Sequence, residues 1–393
     1  MADIAHLGIL IVRRTLLCLP SLLASAALLL ASVCAAVSGA GRAAAQDENP
    51  RSTGLDLSAA QLLCDPDVGR ELQLTPAQTD ELRGAYRTIE QPLWLVRDAA
   101  RGEDGKKKRD LLATFVPRAR DILQPAQRAR LDQLTIRSFG WPVLATPEVS
   151  KPLGLSTEQL VQIEKIVRQM AAETISTAKE ASDSAAREGR LVDLRRAEGE
   201  SIQKLLSDAQ RQKLAEMVGQ PYDFSTVRPL TFAAPELEHT EGWFNSKPLK
   251  LSDVRGKVVA FHFWAFNCVN CVHNLPHYNA WHRKFASRGL IVIGMHTPET
   301  AAERDRSAVE AKIREHQIAY PVASDHENEN WRAWANSMWP SLYLVDKRGR
   351  VRYWWYGELN WQGAKGEAAM RKRIEDLLAE PDGRPAQLSK KTK

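Results

Sequence analysis

The chain has no large excess of charge of either sign. Against 54 Lys and Arg stand 48 Asp and Glu, a net charge of +6 over 393 residues, helped by the tail residues Lys390, Lys391 and Lys393. So small an imbalance argues against a nucleic-acid partner, which needs a basic face. Cysteine is also scarce. Of five in the chain, Cys18 and Cys34 fall in an N-terminal apolar segment, and Cys64, Cys268 and Cys271 are left for the rest. At most one pair can form among those three within one chain, with one cysteine over. Val272 stands directly after Cys271 where a haem-attachment motif needs histidine, so covalent haem is excluded. Apolar residues are not lacking. At 44% hydrophobic and 26% charged, the chain has material for two or three globular domains and is not of the disordered class.

Residues 1–45 read as a signal peptide or membrane anchor. Arg13 and Arg14 precede an apolar run over 15–37, and small residues lead to Ala45 before the polar Gln46, Asp47 and Glu48. Cleavage near Ala45 is the expectation, but a run of roughly 20 apolar residues is also long enough to stay as an anchor. The arginine pair resembles a twin-arginine signal. Either route places the remainder outside the cytoplasm.

Residues 57–220 are helical in pattern and repeat once, as 57–138 and 139–220. Leu72, Leu74, Thr75 and Gln78 match Leu153, Leu155, Ser156 and Gln159 at an offset of 81, and the block 123–128 matches 206–211 at 83. Thr75, Ser156 and Ser207 each stand three before a glutamine, the capping-box spacing, and Pro76 and Pro125 suit a first helical turn. Turns at 102–105 and 187–190 would make each copy a helical hairpin. The blocks resemble those of small periplasmic helical proteins of the Spy and CpxP type, stress sensors or chaperones. Cys64 faces Ala145 in the second copy; a buried thiol and a partner for another cysteine are both open readings.

A linker over 221–235 leads to a domain over 236–380, and a disordered basic tail is expected over 381–393. Here short strands alternate with helices: a hairpin about 245–248, strands at 258–263, 290–295, 320–323, 341–346 and 351–356, and helices at 269–285, 301–316, 328–337 and 367–379. Such alternation implies an α/β fold with a mixed central sheet and flanking helices. At its centre Phe261, His262, Phe263 and Trp264 lead into Cys268 and Cys271, two cysteines at the start of a helix. There the unpaired N–H groups and the dipole favour a thiolate, the form that attacks disulfides.

The ordered set of Leu251 to Lys257 before the strand, Trp264, Cys268, Cys271 and Pro276, then 290–298, 320–323 and 339–346, resembles the thioredoxin-like domain of exported thiol-disulfide oxidoreductases. The TlpA and ResA types are meant, and above all the C-terminal domain of DipZ. The resemblance covers residues 237–380 and implies Cys268 as nucleophile, Cys271 as resolving thiol, and Pro340 as a cis-proline across from them. Trp264, Asn267 and Trp339 would shape the site or touch the substrate. Asn267 stands where thioredoxin-like sites usually carry tryptophan. His262 stands at the place of a buried carboxylate and is a candidate proton relay. The implied partners are protein disulfides or dithiols and a membrane electron donor; no cofactor is required. The implied activity is disulfide exchange in the cell envelope, in the reducing direction. Two other readings stay open: a stress or chaperone-like protein whose CxxC only senses redox state, and copper delivery through Cys268, Cys271 and a histidine among His273, His277, His282 and His296.

Overall fold

A computed structural model describes residues 52–99, 102–180 and 184–381; the N-terminal segment and the tail beyond 381 lie outside them. The chain divides into two compact units, one ending at Leu230 and the other beginning at Thr231.

The first unit is helical: α1 Ser52–Leu63, α2 Pro66–Glu71, α3 Pro76–Leu95, α4 Gly102–Asp121, α5 Pro125–Phe139, α6 Pro147–Leu153, α7 Thr157–Glu180, α8 Ser184–Leu205 and α9 Asp208–Val218. Helix α3 packs on α4 and α7 on α8, one pair per copy. The repeated glutamines make the same bonds in both blocks. Gln78 accepts the Thr75 N–H at 3.1 Å while Thr75 Oγ1 accepts the Gln78 N–H at 3.2 Å, and the same two bonds recur at Ser156–Gln159 and Ser207–Gln210. The amides then pair across helices. Gln78 donates to Gln127 at 2.8 Å and Gln159 to Gln210 at 2.9 Å, so each copy is closed by the same glutamine clasp.

The turns differ from the sequence expectation. Residues 102–105 open α4 rather than forming a loop, and 187–190 lie inside α8. A lone glycine among good helix formers costs about 1 kcal/mol and does not end a helix. Farther along α8, Gly199 is required for packing, since a Cβ there would stand 2.8 Å from Nε1 of the buried Trp141. Cys64 is exposed and takes part in no disulfide, which corrects the buried-thiol reading.

The second unit holds a seven-stranded sheet in the order β1-β7-β6-β3-β4-β5-β2. Its strands are β1 Phe232–Ala233, β2 Gly242–Phe244, β3 Val258–Trp264, β4 Leu290–His296, β5 Val322–Ser324, β6 Ser341–Val345 and β7 Arg350–Tyr356; the helices are α10 Val269–Phe285, α11 Arg306–Glu315, α12 Glu329–Ala333 and α13 Gly366–Ala379. Strand β3 is parallel to β4 and antiparallel to β6. Every residue of β3 is buried, which is why it reads as an apolar run broken only by His262. On one face Ala260 and Trp264 join the core formed with Cys271, Leu275 and Tyr278 of α10.

Three expectations shift here. The linker runs into the sheet, because Phe232–Ala233 pairs with Val351 and Arg350. The hairpin about 245–248 does not form. Asn245 adopts φ 61° and donates to the Ile318 and Tyr320 carbonyls, so β2 pairs with β5, while Glu236 caps a 3-10 turn at Leu251–Val254 by accepting the Leu251 and Ser252 N–H groups. The helix over 301–316 breaks at Asp305, which caps α11 by accepting the Ala308 N–H at 3.0 Å, leaving Ala301–Arg304 as a separate 3-10 turn.

Candidate active site

Strand β3 ends at the sheet centre and the chain turns through Ala265, Phe266 and Asn267 into α10. Cys268 is the N-cap of that helix and is disulfide-bonded to Cys271, with 5.2 Å between the Cα atoms. The Cys271 N–H donates to Cys268 Sγ at 3.3 Å. A sulfur thus occupies the place of a capping oxygen, where partial positive charge gathers. Cys268 is half-buried and Cys271 fully buried, so an incoming group reaches Cys268 first.

The other expected residues fall at different depths. Trp264 is fully buried at the end of β3, its ring edge-on to His296 at 5.2 Å, and supports the turn from beneath. Asn267 is exposed. The Trp339–Pro340 peptide is cis, and Pro340 is buried. Trp339 is half-buried, donates from Nε1 to the Thr297 carbonyl at 3.2 Å and lies 4.0 Å from the ring of Trp331. With Met338 and Val269 exposed, the residues beside Cys268 and Pro340 present apolar surface.

His262 is fully buried, stacked 4.2 Å from Tyr278 of α10, and its Nε2 meets the Tyr320 hydroxyl at 3.1 Å. Burial pushes its pKa down to about 3. The imidazole is therefore neutral at physiological pH, and its hydrogen bond goes to Tyr320 and not to Cys271. His296, also buried, is lowered to about 4 by burial, partly opposed by the charge of Glu303. Among the described residues no group of three or more His, Cys, Asp or Glu stands together as a metal site would require.

Two residues of the site were not singled out from sequence. Asn274, buried on α10, accepts the Leu359 N–H at 2.9 Å and donates to the Gly357 carbonyl at 3.3 Å; Gly357 in turn donates to the Pro340 carbonyl at 2.7 Å. The active-site helix and the Pro340 turn are thereby joined through the 357–359 turn. Glu303 is fully buried and accepts the Asn267 N–H at 2.8 Å. The Thr300-x-x-Glu303 capping-box spacing was the available signal, hidden by reading 301–316 as one helix.

Residues 231–354 match the AhpC/TSA family. DipZ of Mycobacterium bovis is 41% identical over 128 residues, 32% of this chain and 18% of DipZ. The AhpC/TSA match lies wholly within the C-terminal unit, whose mixed sheet and flanking helices have the thioredoxin-like arrangement. The thiol-disulfide oxidoreductase YkuV of Bacillus subtilis matches at 26% identity over 148 residues, 38% of this chain and 95% of YkuV. A crystal structure of a thiol-disulfide isomerase from Corynebacterium glutamicum matches at 29% identity, covering 38% of this chain and 98% of that one, with a TM-score of 0.33. The chain thus spans less than a fifth of the DipZ length, and its helical unit lies outside the AhpC/TSA match. No helix among the described residues is long and apolar enough to cross a membrane.

Proposed function

We propose that the protein is an exported thiol-disulfide oxidoreductase that reduces disulfides of cell-envelope proteins. The observation that carries this is the Cys268–Cys271 disulfide at the N-terminus of α10, with Cys268 half-buried and Cys271 fully buried. In the reduced protein the Cys268 thiolate attacks a substrate disulfide, forming a mixed disulfide and releasing one substrate thiolate. Cys271 then attacks Cys268 Sγ, releasing the second. Two electrons pass to the substrate, which takes up two protons as its thiols form, and the protein is left as the disulfide. Trp339 and Pro340 would flank the bound chain, and Trp264 and Asn267 would shape the turn that presents Cys268. His262, neutral and bonded through Nε2 to Tyr320, would relay a proton through Nδ1, which has no hydrogen-bond partner among the described residues.

Export is supported by the N-terminal apolar segment behind Arg13 and Arg14. The reducing direction requires an electron donor, for which a membrane thiol reductant is the fitting class. The test is the reduction potential of the pair in the exported protein, equilibrated with thiol buffers. A value near or below about −250 mV fits a reductant, one above about −150 mV an oxidant, and failure to form a reversible disulfide rejects the exchange mechanism.

A further inference from the structure

Glu303 sits in the 3-10 turn Ala301–Arg304, fully buried, and every partner of its carboxylate is a donor. Oε1 accepts the Asn267 N–H at 2.8 Å; Oε2 accepts the Glu299 and Thr300 N–H groups at 2.7 and 3.0 Å and the Thr300 hydroxyl at 3.5 Å. Its neighbour Arg304 turns outward to Glu327 at 3.0 Å. Main-chain dipoles, rather than that guanidinium, answer the charge. Burying a carboxylate is costly unless it is well bonded, so such a group is retained where its bonds or its charge matter. Here one of those bonds ends on the residue immediately before Cys268.

We propose that Glu303 is a positioning residue of the thiol-exchange site. Through the Asn267 N–H it fixes the turn that presents Cys268, and as a buried negative charge held against the residue before Cys268 it makes the Cys268 thiolate less stable than the helix terminus alone would. This rests on the exchange reading above and adds a cause for its direction. A destabilised thiolate shifts the pair toward the disulfide, which makes the protein a better reductant.

Two buried carboxylates stand in the surroundings: Asp325, after β5, is bonded to Thr297, Asn330 and Trp331, and Glu303 is the one of the two bonded to Asn267. From β4 comes His296, stacked on Phe266 and held neutral by burial. The loop after β4 brings Glu299, whose pKa is raised by burial and by Glu303, and the loop after β5 brings His326, which faces His296. Helix α10 has no acidic residue in its first turn, and its His273 is paired with Glu358 at 3.0 Å. The Pro340 turn contributes Met338 and Trp339, both uncharged.

Glu303→Gln separates the effects. An amide has one acceptor oxygen, so it can serve Asn267 or the Glu299–Thr300 pair but presents donors to the other. In the full chain we expect the Cys268 pKa, read from the pH dependence of alkylation, to fall by about one unit. Where the thiolate predominates, that tenfold change corresponds to a potential about 30 mV less negative. Exchange of the Asn267 N–H should quicken about tenfold, the mark of a free energy change near 1.4 kcal/mol. Glu299→Gln, which removes an exposed charge that holds no bond to Asn267, should leave that exchange as in the wild type.

If Glu303→Gln does not fold, Glu303→Asp keeps the charge but shortens the reach. It should quicken Asn267 exchange while leaving the thiolate pKa within a few tenths of the wild type. A wild-type pair that titrates normally, with pKa and potential unmoved in Glu303→Gln, overturns the role of Glu303 alone; so does a shift of the opposite sign. A wild-type pair that forms no reversible disulfide overturns the exchange reading and this inference together.

Discussion

His262 and His296 show how strongly position governs a single side chain. Both are fully buried on adjacent central strands, and burial holds their pKa values at about 3 and about 4. An unfolded chain protonates its histidines near the ordinary value of about 6.5. On acidification the unfolded state therefore takes up protons first. The stability these residues confer is complete above about pH 6.5 and is lost progressively as pH falls toward those lower values, by up to about 1.4 kcal/mol per pH unit for each. Melting temperatures of the C-terminal unit between pH 7 and about pH 4 should trace that slope. His262→Gln, which keeps a polar partner for Tyr320, should flatten it; an unchanged slope would assign the acid sensitivity elsewhere. The cysteines make a sharper prediction at this scale. Cys268→Ala should reduce disulfide-reductase turnover to background. Cys271→Ala should retain the first attack and accumulate mixed disulfides visible on non-reducing gels. The sulfur pair was legible in the sequence because its spacing is local. The bond from Asn267 to Glu303 was not, because it joins a main-chain N–H to a side chain 36 residues away, which no pattern of side chains records.

Among the elements, legibility followed burial and capping. Strand β3 and helix α10 were readable because one is an apolar run broken only by His262 and the other begins at a capping sulfur. The hairpin about 245–248 was misread because a turn-like sequence does not say which edge its strand will join, and the tertiary bonds of Asn245 to Ile318 and Tyr320 decided it. In the helical unit the repeated capping boxes were visible, but their pairing across helices was not. Each glutamine both closes its own helix start and reaches the other box of its copy, Gln78 to Gln127 and Gln159 to Gln210. Gln78→Ala and Gln159→Ala should each destabilise the helical unit by about 1–2 kcal/mol in urea titrations, from a lost cap and a lost cross-helix bond. Double-mutant cycles with Gln127→Ala and Gln210→Ala should give similar coupling energies in the two copies. A coupling near zero would mean that the glutamines only cap.

At the scale of the whole molecule, the two units have separate cores. One is built around residues such as Trp141, Ile163 and Ile202, the other around the apolar face shared by β3 and α10. The only disulfide among the described residues closes a loop of sequence separation 3 within the second unit. A loop that short removes little chain entropy from the unfolded state, on the order of 2 kcal/mol. Reduction should therefore lower the unfolding temperature of the C-terminal unit by several degrees and leave the helical unit where it was. The clasp variants should do the reverse. Calorimetry of the full chain with and without dithiothreitol resolves this, with Gln159→Ala marking the helical transition and His262→Gln the other. If reduction moved both transitions equally, the redox state of the Cys268–Cys271 pair would be communicated to the helices, and the helical unit would have to be counted part of the redox machinery.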